Sequence, residues 1–323
     1  MKVTRVIVAA AAAAAACAAA SPKREPAALV VRAPDLAHPV TEPYPGASRP
    51  KDPVKTAVLE RINADRKEAG LSPVAWDEAA ARVADAFCAA QVREGTTGHF
   101  LEDGLPPYAR TGLAGIFGME AENVTTWKTT GATFSKSTRD LALSGHKDMM
   151  SETPPQDGHR RTILDPDATH VGVGWAQERG NFRMDQEFLT RRLAELTLQK
   201  VADLPNTILF KGRTLAPYRL DFVTLALEPA PRPLTKSQAS SRTSYTYPVP
   251  RLGYVPEGKK SLRIVGTETE DRIRVGAAGD FTFRFTPPLS GLWTILFYTN
   301  DGKGEARPGG LAVLWVAPGE AAR

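Results

Sequence analysis

Apolar residues recur every three or four positions in the first half of the chain and every second position in its last third, so helices are predicted first and strands afterwards. Asp52-Pro53 sets a capping carboxylate before a proline at the first helical position. Val54, Val58, Ile62 and Ala69 then share one face until Gly70 stops the helix. Asp77 caps a second helix whose face carries Ala80, Val83, Phe87 and Ala90 and which ends near Gly95. Residues 100–118 are rich in Gly and Pro and read as loop with room for one short helix. A third helix starts at Ser137 or Thr138, stacks Leu141, Gly145, Asp148, Met149 and Glu152 along one side, and is ended by Pro154-Pro155.

Strand patterns follow. Residues 171–176 and 182–188 read as a pair joined by a turn at Gly180-Asn181. Helices flanking such an antiparallel sheet predict an α-β-α sandwich. From about Leu204 the helical period disappears. Residues 280–286 alternate strictly and put Phe281, Phe283 and Phe285 on one face. Further strands are expected at 207–210, 219–227, 262–265, 272–275, 292–298 and 311–316, with a turn at Asn300-Asp301-Gly302. Short strands between Gly and Pro turns predict a second, all-β domain of immunoglobulin-like sandwich type. Polar residues 236–244 are expected to form a mobile loop.

Composition adds the compartment. The 323 residues suit two domains, and 42% hydrophobic with 24% charged residues describes an ordinary globular chain. The net charge of +5 is spread out; Arg160-Arg161 and Arg191-Arg192 are the densest pairs and read as solvated surface, not as a nucleic-acid site. Lys2 and Arg5 precede a short apolar stretch and then small residues, which predicts an export signal over residues 1–20 and no membrane span in the mature form. Ala14-Ala15-Ala16-Cys17 loosely matches a lipobox without its usual leucine, so two processings are open: a lipid anchor at Cys17, or cleavage near Ala20 that discards it. Under either, Cys88 lacks a disulfide partner and reads as a small buried hydrophobe. Prolines at 22, 26, 34, 39, 43, 45, 50 and 53 predict an extended tether over residues 21–53. The expected domains are then 54–202 and 203–323.

Candidate chemistry sits in three segments: Gly98-His99-Phe100, Ala121-Glu122-Asn123-Val124 and Gly158-His159-Arg160-Arg161-Thr162-Ile163-Leu164. Together with the helix opening Ile62-Asn63-Ala64-Asp65-Arg66, they resemble the CAP superfamily, the SCP-like domains of cysteine-rich secretory, antigen-5 and pathogenesis-related proteins and their bacterial relatives. The resemblance covers residues 54–191. It implies an α-β-α sandwich with a cleft holding two histidines and two glutamates, carried onto His99, Glu122, Glu152 and His159. Met149 stands where the pattern before Glu152 has tryptophan, Ala121 replaces glycine, Thr162 replaces asparagine, and Gln156-Asp157 replaces Ser-Pro. Those departures leave Asp148 as a substitute for Glu152.

Three readings of these groups stay open. The histidines can tie the loops to the carboxylates as structure. They can bind a ligand or a divalent metal, zinc above others, through His99, His159 and Glu122. Or they can move protons as catalysts. The resemblance requires the heads of His99, Glu122 and His159 to converge within about 8 Å. Asn123 reads as a backbone tie, Arg160 as either paired or exposed, and His38 as solvated in the tether. His146 is expected to be exposed or on the cleft rim, and His170 to be a satisfied core or edge histidine. Ser144 and Ser151 lack a nucleophile-elbow context, and neither a His-Glu-x-x-His helix nor a Gly-rich phosphate loop occurs. The expected function is a secreted or periplasmic CAP-domain protein, free or lipid-anchored, that binds a lipid, peptide, envelope component or divalent metal. The alternatives are a hydrolase using the same residues and an adhesive protein acting through the β domain.

Overall fold

A computed structural model describes residues 29–32, 49–201, 204, 206–259 and 268–318. The expected export signal, Cys17, His38, most of the proline-rich stretch and the strand expected at 262–265 lie outside the described residues. The first described element, strand β1 (Leu29–Arg32), falls inside that stretch.

Helix α1 (Pro53–Glu68) begins where the sequence places it: the Asp52 carboxylate accepts from Val54 N at 2.7 Å and Lys55 N at 3.3 Å. Its buried face, Val54, Val58 and Ile62, meets Leu141 and Met149 of α4 (Thr138–Met150). Arg66, in the last turn of this helix, is fully buried, and its guanidinium donates to the carbonyls of Ser72, Ile163, Asp165 and Ala168. Helix α2 (Glu78–Glu94) is capped by Asp77 through Ala80 N at 2.7 Å and ends at Gly95 in the left-handed region. The short helix anticipated in the loop is α3 (Pro107–Leu113), and α5 (Gly158–Ile163) follows α4.

Between the helices lies a four-stranded sheet in the order β2-β4-β5-β3, comprising β2 (Ala75–Trp76), β3 (Met119–Lys128), β4 (His170–Glu178) and β5 (Asn181–Thr190). Phe182, Met184 and Phe188 pack toward α1 and α4. The opposite face lies under α2, and β4 lets it approach closely: a Cβ on Gly172 or Gly174 would stand 2.2 Å from the backbone of Ala81 or Ala84. This is the expected α-β-α sandwich.

The remaining strands form one nine-stranded sheet, ordered β1-β13-β12-β8-β9-β10-β11-β7-β6. They are β6 (Leu193–Lys200), β7 (Ile208–Thr214), β8 (Arg219–Glu228), β9 (Leu252–Pro256), β10 (Glu268–Val275), β11 (Asp280–Phe285), β12 (Gly291–Asn300) and β13 (Arg307–Pro318). The all-β character is as expected. The ladder is continuous because β10 pairs parallel with β9 and antiparallel with β11, so the strands curl toward a barrel around one core. Phe281, Phe283 and Phe285 all point into it, with Phe283 stacked on Phe210 at 4.6 Å. The sheet takes its strand β6 from residues ahead of the composition break at Leu204.

The two halves share apolar contacts. Tyr108 and Ala109 of α3 cluster with Leu292, Leu296, Leu311 and Val313. Residues 229–251, between β8 and β9, run back across the sandwich: Leu234 N donates to Glu102 O at 2.7 Å and Thr97 N to Ser240 Oγ at 3.2 Å. The stretch expected to be a mobile loop contains helix α6 (Lys236–Ser241), because Thr235 and Gln238 cap each other reciprocally. We refer to residues 229–251 as the strap.

Candidate functional site

His99 follows α2 through Gly98, whose φ of +78° and position against Arg242 O favour glycine. Its Nδ1 lies 2.7 Å from Glu122 Oε1 on β3. The other oxygen of Glu122 accepts from Arg110 on α3. Arg110 is itself held over the Phe87 ring at 3.7 Å and donates to His99 O at 3.4 Å. The Glu122 side chain is fully buried and that of His99 is 10% exposed.

The strap closes this end. Tyr245 sits edge-on to His99 at 5.1 Å, accepts from Glu122 N at 2.7 Å and donates to Glu120 Oε1 at 2.8 Å. Tyr247 donates to Glu120 O at 2.7 Å and accepts from Glu120 N at 3.1 Å. Burial, reinforced by Glu122, pushes the Glu120 carboxyl up to about 8.

The second expected pair forms separately. Glu152, just beyond α4, places Oε1 2.5 Å from His159 Nδ1. Its Oε2 accepts from His159 N at 3.0 Å and Arg160 N at 3.4 Å, so the carboxylate also caps the first turn of α5. His159 is 34% and Glu152 24% exposed. Glu152 therefore takes the position for which Asp148 was held in reserve; Asp148 is exposed. Asn123 ties α5 to β3 by donating to His159 O at 3.0 Å, and Arg160 is exposed.

Among the described residues no hydrogen bond or ion pair joins His99 and Glu122 to His159 and Glu152. The donor atoms of the expected zinc set, His99, His159 and Glu122, do not all lie within 4.8 Å of one another. Among the described residues, the group of three or more acids, histidines or cysteines whose donor atoms all lie within 4.8 Å of one another is Glu122, Asp185 and Glu187. The physical reason is that Glu122 is turned under α2 toward Arg110 and His99, while His159 is held at α5 by its own carboxylate.

Two other histidines are settled. His146, expected at the surface or rim, is buried between Asp65 Oδ2 at 2.8 Å and Gln186 Nε2 at 3.2 Å. Gly145 permits this by letting α4 press on Thr125, and burial holds the imidazole below its ordinary pKa. His170 is a buried strand histidine 2.8 Å from Thr169 Oγ1. Cys88 is buried and free, its thiol against Gly174 O at 3.6 Å.

Arg110, Glu120, Asp185, Glu187, Tyr245 and Tyr247 were not anticipated. Charges at every second position, 183, 185 and 187, were visible in the strand pattern, but only the pairing of β3 with β5 places Glu122 opposite Glu187. Two concavities flank the site. A groove of about 560 Å³ is lined by Ala121, Arg160, Arg161, Thr162 and Leu164. A pocket of about 430 Å³ opens at the seam between the halves, lined among others by Phe100, Tyr108, Leu234, Arg242, Tyr245 and Leu292.

Residues 59–190 match the model of the cysteine-rich secretory protein family, CAP. Among solved structures, an extracellular protein containing an SCP domain from Bacillus anthracis is similar at 19% identity over 45% of each chain, with a TM-score of 0.32. An outer surface protein from Borrelia burgdorferi matches at 15% identity over 45% of this chain and 98% of that one, with a TM-score of 0.35. A cysteine-rich secretory protein from Staphylococcus aureus matches at 19% identity over 45% of this chain and 42% of that one, with a TM-score of 0.29. This chain thus spans less than half the length of the Bacillus and Staphylococcus proteins. No curated protein matches the sequence.

Proposed function

Residues 59–190 are a CAP domain, and from that premise we propose that the protein is exported and binds a small amphipathic ligand, a fatty acyl chain or peptide with an anionic end, in the seam pocket beside His99. Export rests on the charged and apolar pattern of residues 1–20. Among the described residues no helix is long and apolar enough to cross a membrane.

The observation that carries the binding reading is the pocket of about 430 Å³, within the usual size of a small-molecule site. Phe100, Leu234 and Leu292 offer apolar walls, and the Arg242 guanidinium stands 5.2 Å over Phe100. An acyl or aromatic body would lie along those walls and an anionic end would meet Arg232 and Arg242 at the rim. Meanwhile His99 Nδ1 and both oxygens of Glu122 are engaged with partners inside the protein, an arrangement suited to holding a wall in place.

Fluorescence titration with dansyl-undecanoate tests the reading. Saturable binding is expected, weakened about tenfold, the equivalent of one lost charged contact, in Arg242→Ala. It should be weakened further in a Phe100→Ala, Arg242→Ala variant and be unchanged in His159→Ala. A wild-type protein that shows no saturable emission change overturns it.

A hydrolase remains the second reading because of one feature. His159 is oriented through Nδ1 by Glu152 and a third exposed, with Nε2 bonded to no described residue, the arrangement of a base that can take a proton from water. Activity on ester substrates that vanishes in His159→Ala while dansyl-undecanoate binding persists would favour it.

A further inference from the structure

Strands β3 and β5 bring four carboxyl groups under α2. Glu122 lies directly opposite Glu187, and Glu120 and Asp185 are one pleat away on the same face. Like charges directly opposite one another destabilise a sheet, so this pairing needs a compensating positive charge. The donor atoms of Glu122, Asp185 and Glu187 lie within 4.8 Å of one another, and all three residues are buried. No N–H or hydroxyl of a described residue donates to either oxygen of Asp185 or Glu187 or to Glu120 Oε2, although the Glu120 and Glu187 carboxyls are within hydrogen-bond reach of each other.

The surroundings supply too little positive charge. From α3, Arg110 is committed to Glu122. From the loop after α2, His99 holds the other Glu122 oxygen. Arg183, on the same face of β5, is turned to Thr96 O at 3.0 Å and to its neighbour's carbonyl. From α2 come Asp85, the thiol of Cys88 and the amide of Gln91, which bring no cation, and the strap brings the hydroxyls of Tyr245 and Tyr247. Unpaired buried carboxylates cost several kcal/mol each unless protonated, paired or bound to a metal.

We propose that Glu122, Asp185 and Glu187 hold one hard divalent cation, Ca²⁺, Mg²⁺ or Mn²⁺, beneath α2 and behind the Tyr245 strap. The donor set is oxygen only, which suits these ions and not zinc or copper. Three carboxylates facing one guanidinium leave a charge that one divalent ion cancels. A cation would take one oxygen from each of the three carboxylates, where no described N–H or hydroxyl reaches Asp185 or Glu187; the competing arrangement is neighbouring carboxyls that share protons. The site differs in place and chemistry from the zinc set His99, His159 and Glu122, and it does not depend on the acyl-binding proposal.

The test uses the full chain purified without chelator. Elemental analysis should find close to one divalent ion per molecule. After EDTA treatment, millimolar CaCl₂, MgCl₂ or MnCl₂ should raise the melting temperature by about 5 °C, as a ligand far above its dissociation constant does. Asp185→Asn, Glu187→Gln should abolish that rise while melting in EDTA no lower than the wild type, because the repulsion is gone. If the double variant fails to fold, Tb³⁺ emission excited through tyrosine in the wild type, displaced by Ca²⁺, gives the same answer. No ion, no thermal shift and no Tb³⁺ emission would overturn the proposal and leave the acids sharing protons. A shift given by ZnCl₂ alone, kept in the double variant and lost in His99→Ala, His159→Ala, would overturn it as well and move the metal to the histidines.

Discussion

The two faces of strand β5 are built on opposite terms. Phe182, Met184 and Phe188 join the apolar cluster under α1 and α4, and Gln186 between them is met by the Asp65–His146 pair. Arg183, Asp185 and Glu187 project toward α2 and are equally buried, but their charges outnumber their partners. An apolar face with a satisfied polar relay is a stability device. A charged face sealed by a helix, a loop histidine and two tyrosines of the strap is retained at a cost, and such a cost points to function. The difference lies in the third layer: the strap presses Tyr245 and Tyr247 onto β3 at Glu120 and Glu122.

The comparison breaks most easily at Arg110. It is the guanidinium that reaches Glu122, and removing one partner of a buried ion pair costs about 3–5 kcal/mol because a bare charge stays behind. Arg110→Met should therefore lower unfolding stability in urea by that amount, and Arg110→Met, Glu122→Gln should recover much of it. A loss below about 1 kcal/mol would mean the acids are neutral and Arg110 is dispensable.

The strap gives the next effect. Tyr245→Phe removes an acceptor for Glu122 N and a donor to Glu120, and Tyr247→Phe removes both bonds to the Glu120 backbone. Each should cost about 1–3 kcal/mol, the range for leaving a buried polar group without its partner. Hydrogen exchange at the amides of Glu120 and Glu122 should quicken while that of Phe182 and Met184 stays slow. Equal quickening on both faces would show that the strap supports the whole sandwich and seals nothing in particular.

Much of this was written in local signals. Asp52, Asp77 and Ser137 cap the helices they were expected to cap, and the phenylalanines at 281, 283 and 285 point into the β core. His99, Glu122, Glu152 and His159 were picked out by their segments, although the structure joins them as two separate pairs. What sequence order hides is register and third-layer contact. Alternation of apolar and charged residues over 182–188 ordinarily means one wet face, and here the Ala-rich α2, admitted by Gly172 and Gly174, covers the charged side. Tyr245 and Tyr247 sit over a hundred positions from the glutamates they touch, so no periodicity links them. The Thr235–Gln238 capping box was legible and would have turned the expected mobile loop into a helix.

The smallest effect, and the one that separates the faces without dismantling either, is titration. Burial first, then neighbouring acids, raise Asp185 and Glu187 above the ordinary carboxyl range and Glu120 from 4.5 to about 8. Groups raised on folding keep protons that the unfolded chain has released, so their contribution is complete below about 4.5 and is lost as pH rises through about 8. On the other face burial lowers His146 below 6.5, so the unfolded chain takes up a proton that the native state refuses. That contribution is complete above about 6.5 and is lost as pH falls through the lowered native value. In EDTA, Glu120→Gln should flatten the decline of stability between pH 5 and pH 8, and His146→Gln should flatten the decline below pH 6.5, each by at most about 1.4 kcal/mol per pH unit. Urea midpoints at four or five pH values would resolve the two limbs. If Glu120→Gln changes the acid limb instead, the carboxyl is ionised in the native state, and the charge on the face under α2 is already balanced by something other than a proton.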